Sequence, residues 1–226
     1  MDDNFELEFD FDFPSDDFNG EVQEDENTII CKPPKSKVIH TVNFDYARDL
    51  AKHMTITEDM NYFVVVSGKF VMGDFFAAFA LEHDLVFENM QVITLSYSKY
   101  NVDVIKRMFD VGRLKNINLI TSEFFYSHYR HRTVKYTYDM LLDYPGFQLG
   151  VTRSHCKMTA IKTGCGKYFV FHGSSNLRSC KNAEQIHLQQ SKELYNFVED
   201  YCKKIIKTFK TIDRDENKKD DFQFDW

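Results

Sequence analysis

The side chains best suited to chemistry lie in one stretch of the sequence, RSHCKMTAIKTGCGKYFVFHGSSNLRSCKNAEQI, residues 153–186. His155 and Lys157 are two positions apart on a predicted strand, so their side chains are expected on the same face of it. Ser174 and Asn176 follow the end of the next predicted strand. A hairpin joining the two strands would bring both pairs of residues together at one place.

These residue types suit a phosphodiester substrate. A lysine ammonium neutralises the nonbridging oxygens, serine and asparagine supply directed hydrogen bonds, and a histidine imidazole can attack phosphorus. Glu184 is close enough in sequence to orient the imidazole through its second ring nitrogen. The candidate catalytic residues are therefore His155, Lys157, Ser174, Asn176 and Glu184. Their polar and basic neighbours are candidates for binding the substrate phosphates: Arg153, Ser175, Arg178 and Lys181.

Strands and helices alternate ahead of this stretch, as a layered α/β fold requires. Continuous runs of β-branched and aromatic residues predict three buried strands: NYFVVVSGKF, MQVITLSY and NINLITS. Apolar residues at helical spacing predict four helices: VNFDYARDLAKHM from about residue 42, GDFFAAFALEHDL, NVDVIKRMFDVG, and a helix with a break over residues 123–143. The short connections favour a mostly parallel central sheet flanked by helices.

After Gly146 the pattern changes to short strands. They are predicted for residues 147–151, 155–162, 167–172 and for EQIHLQQ. The middle two are joined by a hairpin through Thr163-Gly164-Cys165-Gly166. The amphipathic helix SKELYNFVEDYCKKIIKTF then closes the fold, with a predicted apolar stripe: Leu194, Phe197, Val198, Tyr201, Ile205 and Phe209.

Charge is distributed unevenly along the 226 residues. Residues 1–27 contain twelve acidic residues and no basic one, and residues 211–226 contain six acidic and three basic residues. Residues 28–210 therefore have 25 basic and 17 acidic residues, a net charge of +8, although the whole chain has −7. A basic body between acidic ends is typical of a protein whose body binds polyanions.

The two acidic ends are predicted to be disordered tails, because FELEFDFDFPSDDF and DDFQFDW alternate aromatic residues with carboxylates. Each tail is expected to bind a protein partner through its aromatic rings, to cover the basic body, or only to keep the protein soluble. The chain thus divides into four parts: a tail over 1–27, a helical lead-in over 28–60, the principal domain over 61–210, and a tail over 211–226.

Cysteine spacing and apolar runs exclude several protein classes. The five cysteines form no CxxC pair, and they match no zinc-ligand spacing with nearby histidines, so neither a disulfide scaffold nor a metal or other cofactor is expected. No apolar run approaches the ~18–20 residues that cross a bilayer, and the acidic N-terminus is unlike a secretory signal. We therefore expect a cytoplasmic protein that does not bind membranes.

Three spaced elements, His155-x-Lys157, Gly173-Ser174-x-Asn176-Leu177 and Asn182-x-Glu184, resemble the HKD motif of the phospholipase D-like superfamily. The likeness is greatest to the single-motif branch, which includes small bacterial endonucleases and phage-borne members, and it covers roughly residues 61–210. It implies a phospholipase D-like fold and a metal-independent phosphodiesterase. Since the chain has one H-x-K, it also implies a C2 homodimer.

The resemblance also implies a two-step mechanism. His155 of one subunit attacks phosphorus to form a phosphohistidine, and His155 of the other subunit protonates the leaving oxygen and then activates water. Two features depart from the family pattern. Lys162 replaces the acid expected five residues after Lys157, and the interval from Lys157 to the Gly-Ser pair is longer than usual. The first departure leaves open a degenerate member that binds without cutting.

A basic body and the lack of a membrane-facing apolar segment favour nucleic acid as the substrate. We therefore predict a homodimeric nuclease that acts on DNA. The alternative is a catalytically degenerate module that binds nucleic acid or a protein partner in an assembly. A weaker alternative is a phosphodiesterase that acts on phospholipid headgroups.

A second candidate surface lies in the segment FFYSHYRHRTVKY, residues 124–136. Basic residues interleaved with aromatic residues suit single-stranded nucleic acid, because the basic side chains contact phosphates and the aromatic rings stack on nucleobases. The same pattern is also typical of a helix that buries its aromatic residues and exposes its charges. The residues in question are Tyr126, Tyr129, Arg130, Arg132, Lys135 and Tyr136.

Overall fold

The structure, a computed structural model, describes the following parts of the chain: residues 43–44, 47–66, 70–178, 182–213 and 218–219. Three predictions fall wholly or mostly on other residues and lie outside this description. They are the tail over 1–27, most of the tail over 211–226, and the phosphate contact from Lys181.

The described residues form ten strands, six α-helices and one π-helical segment. The strands are β1 (Asn43–Phe44), β2 (Asn61–Val66), β3 (Phe87–Thr94), β4 (Ile117–Ser122), β5 (Phe147–Thr152), β6 (Met158–Thr163), β7 (Tyr168–Gly173), β8 (Glu184–Gln190), β9 (Ile212–Asp213) and β10 (Lys218–Lys219). The helices are α1 (Ala47–His53), α2 (Met72–Glu82), α3 (Lys99–Asp110), α4 (Glu123–Tyr129), the π segment (Arg130–Val134), α5 (Lys135–Leu141) and α6 (Lys192–Phe209).

Eight strands form one sheet in the order β1-β2-β8-β7-β6-β3-β4-β5. Six of them point in one direction, and β6 and β8 run antiparallel to their neighbours. The predicted layered α/β fold is confirmed. The predicted mostly parallel sheet needs one correction, because four of the seven neighbouring pairs are antiparallel. The β6–β7 hairpin and the return through β8 place these reversed strands in the middle of the sheet.

An aromatic cluster holds α2 on one face of the sheet. The ring of Phe171 on β7 meets Phe75, Phe76 and Phe79 edge-on, at centroid distances of 5.5, 5.1 and 5.7 Å. Edge-to-face packing adds to the free energy gained by burying these rings. The helix predicted for GDFFAAFALEHDL is therefore confirmed, and its three phenylalanines form part of the core.

The closing helix α6 covers the opposite face, where Val198 and Ile205 pack against Ala160 and Val170 of the hairpin. The predicted helix is confirmed, but its buried stripe is turned relative to the prediction. Its fully buried residues are Tyr195, Val198, Cys202 and Ile205, whereas Leu194, Phe197 and Tyr201 are only partly buried and Phe209 is exposed. Tyr195, which is not in the predicted stripe, packs its ring against Tyr168.

Two other helices differ from their predictions in detail. The first begins at Ala47 and not at about residue 42, because Asn43 and Phe44 pair with β2 as a short edge strand. The broken helix predicted over 123–143 is confirmed as α4, the π segment and α5. None of the helices in the described residues is both long enough and apolar enough to cross a bilayer.

Candidate active site

Several strand ends meet at one edge of the sheet. The strands β3, β4, β5 and β7 end there, and β6 and β8 begin there. We call this edge the carboxyl edge, because most of its strands arrive with their carboxyl ends. Open α/β sheets bind their ligands at this edge, where the loops that follow the strands converge. All predicted catalytic residues lie on these loops or at the adjoining strand ends.

His155 and Lys157 lie just before β6, so the prediction that both are strand residues is wrong. The Ser154 hydroxyl accepts a hydrogen bond from the Cys156 amide at 3.1 Å and holds the chain in a local turn. Pairing with β7 extends only to Lys157, whose carbonyl accepts from the Gly173 amide at 3.3 Å. The Lys157 ammonium donates to the carbonyl oxygen of His155 at 3.0 Å. The turn therefore keeps the two residues adjacent without placing them on one strand face.

His155 lines an open cleft of about 550 Å³ between the ends of β3, β4 and β5. Its side chain is exposed, and no hydrogen bond to the imidazole comes from another described residue. The wall beside it contains an ion pair in which the Arg153 guanidinium lies 2.5 Å from the Glu123 carboxylate. The side chain of Glu123 is 6% exposed, whereas that of Arg153 is 75% exposed. Arg153, a predicted phosphate contact, is thus held at the cleft by a buried carboxylate.

Ser174 and Glu184 form a pair where β7 ends and β8 begins. The Ser174 hydroxyl donates to the Glu184 carboxylate and accepts from the Gln185 amide at 2.9 Å. The hydrogen-bond partner of Glu184 is therefore Ser174. No contact between Glu184 and the imidazole of His155 occurs within the described residues. The pair keeps the serine hydroxyl and a negative charge at the carboxyl edge.

The Asn176 amide is bound through its oxygen to the end of β3. This oxygen accepts from the Leu95 amide at 3.1 Å and lies 3.4 Å from the Thr94 hydroxyl. Two bonds to one side of the carboxamide determine its orientation. The amide nitrogen makes no hydrogen bond to another described residue, so it is the part of Asn176 that can donate to a phosphate oxygen.

Three residues that sequence reasoning missed hold the loop after Asn176 in place. The Thr94 hydroxyl accepts from the Leu177 amide at 3.3 Å, and the Leu177 carbonyl accepts from the Asn101 side chain at 3.1 Å and the Gly73 amide at 3.2 Å. Asn101 also forms the capping box of α3 with Ser98. The Ser98-x-x-Asn101 spacing is visible in the sequence as a helix start. The hydrogen bond from Asn101 to Leu177 depends on tertiary contact and is not visible in the sequence.

The predicted residues divide between two hollows at the carboxyl edge. Lys157 and Ser175 line a small hollow together with His172, while His155 and Arg153 line the larger cleft. Arg178 is exposed. Among the described residues, no group of three or more histidine, cysteine or acidic side chains is arranged to hold a metal ion.

Behind the small hollow lies a polar chain that the sequence did not reveal. His172 on β7 and His187 on β8 are cross-strand neighbours, with 3.0 Å between His172 Nε2 and His187 Nδ1. His187 Nε2 donates to the side-chain oxygen of buried Asn61. Since an amide oxygen only accepts, a neutral His187 accepts at Nδ1 the hydrogen bond that His172 Nε2 donates. Burial lowers the pKa of both histidines, and for His187 the neighbouring His172 lowers it further.

The hydrogen-bonded side chains of His172, His187 and Asn61 predict that the protein loses stability in mild acid. The unfolded chain binds protons at histidines near pH 6.5, whereas the folded chain binds them at these two positions only at lower pH. The free energy of unfolding should therefore decrease as the pH falls below about 6.5. Urea denaturation at pH 7.5 and 5.5 should show a smaller decrease for His187→Gln than for the natural sequence. The exposed His131→Gln is the control, and equal decreases in all three proteins would contradict the prediction.

Lys162, which occupies the position of the expected acid, faces α6. Burial acts to raise the pKa of Glu199 on this helix, but hydrogen bonds from Lys203 and Tyr195 lower it overall. The charge of Lys162 lowers it further. The substitution lies in the packing between β6 and α6, away from the loops of the carboxyl edge.

No protein-family model and no curated protein matches this sequence. Among solved structures the chain is similar to a phospholipase D family member, Nuc from Salmonella typhimurium. The two are 13% identical, the match covers 55% of this chain and 81% of Nuc, and the TM-score is 0.43. NucT from Helicobacter pylori is 17% identical over 55% of this chain and 82% of its own, with a TM-score of 0.41. Phosphatidylserine synthase from Haemophilus influenzae is 10% identical over 67% of this chain and 39% of its own, with a TM-score of 0.44.

Proposed function

We propose that this protein is a metal-independent phosphodiesterase of the phospholipase D-like superfamily, a homodimeric nuclease that cleaves DNA through a phosphohistidine at His155. One observation carries the proposal. The backbone bond from the Gly173 amide to the Lys157 carbonyl joins the H-x-K turn to the G-S-x-N loop at the carboxyl edge. This bond links the two halves of the motif, sixteen residues apart in sequence, and supports the proposal that they serve one site.

Each side chain has a role in the proposed reaction. A ring nitrogen of His155 attacks phosphorus, and the phosphorus–oxygen bond to the leaving strand breaks as the phosphorus–nitrogen bond forms. The leaving oxygen takes its proton from His155 of a second copy of the chain, which enters the exposed side of the cleft. Water then attacks phosphorus and gives a proton back to that second imidazole as the phosphorus–nitrogen bond breaks. Lys157 and the Asn176 amide nitrogen stabilise the charge on the nonbridging oxygens.

Removal of metal ions tests this mechanism directly. Because Lys157 and the second imidazole supply the charge and the proton, we expect labelled single-stranded and duplex DNA to be cut at the same rate in excess EDTA as without it. A magnesium-dependent nuclease in the same buffer verifies that the chelator is effective. Loss of cleavage in EDTA that added Mg²⁺ restores would contradict the proposed mechanism.

A binding module without catalytic activity is the second candidate. Two observations favour it: Glu184 is bonded to Ser174 and does not contact the imidazole, and Lys162 replaces the acid of the family pattern. Its site would bind nucleic acid or a protein partner through the same loops. Retained DNA binding without cleavage by the natural sequence, with or without metal, would favour this candidate.

A further inference from the structure

An exposed aromatic ring stands at the mouth of the cleft that contains His155. Phe124, the second residue of α4, lines this cleft and has 62% of its surface exposed. Its helix neighbours Phe125 and Tyr126 are buried, so α4 faces the core and projects Phe124 outward. Among the large apolar residues exposed in the described chain, Phe124 is the one that shares a cleft with a candidate nucleophile.

The Phe124 ring is supported by the next turn of the helix. The imidazole of His128 lies 4.0 Å from it between centroids, with the two planes 30° apart. His128 Nδ1 also donates to the Phe124 carbonyl at 2.8 Å, which holds the imidazole in that position. One face of the phenylalanine is therefore covered by a ring of its own helix. A planar ligand can stack on the remaining surface without first ordering the side chain.

The surroundings of this ring favour an anionic ligand. The Arg153 guanidinium is 75% exposed on the cleft wall, and exposed Arg132 follows α4 in the π segment. The carboxylate that lines the cleft, Glu123, is buried and paired with Arg153. A single ring that is 62% exposed is too small an apolar surface for a membrane. The ring suits a nucleobase of a nucleotide whose phosphate lies against the arginine side chains.

We propose that Phe124 is a stacking platform for an unpaired nucleobase adjacent to the phosphate that His155 attacks, so that the site binds single-stranded nucleic acid in preference to duplex. The inference rests on the proposed function for the position of that phosphate. A base within a duplex already stacks on both faces and cannot reach the ring unless it is unpaired. The predicted surface of residues 124–136 is thereby revised, because Tyr126 is buried and Tyr136 donates to Asp103, whereas Phe124 and His128 form the exposed stack.

Equilibrium binding separates this role from catalysis. The full-length chain with His155→Ala is titrated in EDTA with labelled single-stranded DNA and with duplex DNA, with and without Phe124→Ala. Loss of one stacking contact should weaken single-strand binding about tenfold and leave duplex binding unchanged. Leu81→Ala removes an equally exposed side chain, 59% against 62%, from the far end of α2 and should change neither. Equal losses for both DNA forms, or no loss, would overturn the proposal.

A fluorescence measurement tests stacking itself. Trp226 is the chain's single tryptophan, so Phe124→Trp in a Trp226→Phe chain carries one reporter. Its emission should be quenched by a single-stranded oligonucleotide and much less by the same strand with abasic sites at its centre. Equal quenching by both strands would mean phosphate binding alone and would overturn the proposal. Quenching by phosphatidylglycerol vesicles with none by DNA would also overturn it and would assign the ring to a membrane.

The two proposals fail separately. Stacking on Phe124 in a protein that cuts no DNA would support the platform and reject the nuclease. Cleavage that depends on His155, with binding unaffected by Phe124→Ala, would support the nuclease and reject the platform.

Discussion

His155→Ala is expected to reduce the rate of DNA cleavage by about 1,000-fold or more, because it removes the atom that bonds to phosphorus. His155 is exposed at the cleft and makes no side-chain hydrogen bond to another described residue, so its loss should not lower the free energy of unfolding. The fall should therefore appear in kcat with unchanged thermal stability. The measurement is the single-turnover rate on labelled DNA in EDTA.

The neighbouring Cys156→Ala is the matched control, since Cys156 is also exposed and lies in the same turn. It should keep the full rate. Rapid quenching of the natural sequence with alkali should trap a labelled protein, because a phosphohistidine is stable to alkali and is lost in acid. That label should be missing in His155→Ala. Cleavage by His155→Ala at a rate near that of the natural sequence would reject the proposed nucleophile.

Gly173→Ala is expected to have the second-largest effect, on both stability and cleavage. A β-carbon at this position would lie 2.0 Å from the Gln185 carbonyl oxygen, a backbone atom that cannot move aside alone. β7 would have to separate from β8, at a cost of about 1–3 kcal/mol in the free energy of unfolding. The shift would move Ser174 and Asn176, and a misplacement of about 1 Å in an active site can reduce a rate about 100-fold.

Gly164→Ala, in the turn of the adjoining hairpin, provides the comparison. There the nearest atom to an added β-carbon is the end of the flexible Glu88 side chain, at 3.2 Å. Urea denaturation and the single-turnover rate should be close to those of the natural sequence. If Gly173→Ala behaved in the same way, the close approach of β7 and β8 would not be what positions the G-S-x-N loop.

Local patterns predicted most of the elements, because each rests on side chains close together in sequence. The apolar run Tyr62–Val66 lies in β2, and the Gly-rich turn after Thr163 joins β6 to β7. The same patterns indicated that His155, Lys157, Ser174 and Asn176 belong to one edge of the sheet. The catalytic roles of these residues stay predictions, and His155→Ala tests the role of His155.

Contacts between distant segments could not be predicted in this way. The pairing of His172 with His187 and Asn61 joins three strands, and its register depends on how β8 is inserted beside β2. The anchoring of Asn176 at Leu95 likewise requires the loop after β7 to pass the start of β6 and reach the end of β3. The turn at His155 depends on one hydroxyl of Ser154 that competes with the strand ladder. Each of these contacts forms only when the strands have assembled into the sheet.

The π segment between α4 and α5 has a consequence for how this protein can evolve. A π turn accommodates one residue more than an α turn, and each residue added to a regular α-helix rotates everything after it by about 100°. Because the wider turn absorbs that rotation, α5 keeps Tyr138 and Leu141 in the core while α4 independently presents Phe124 to the cleft. Loss of one residue between Arg130 and Val134 would therefore convert the π turn to an α turn, while the helices on either side stay in register with the core.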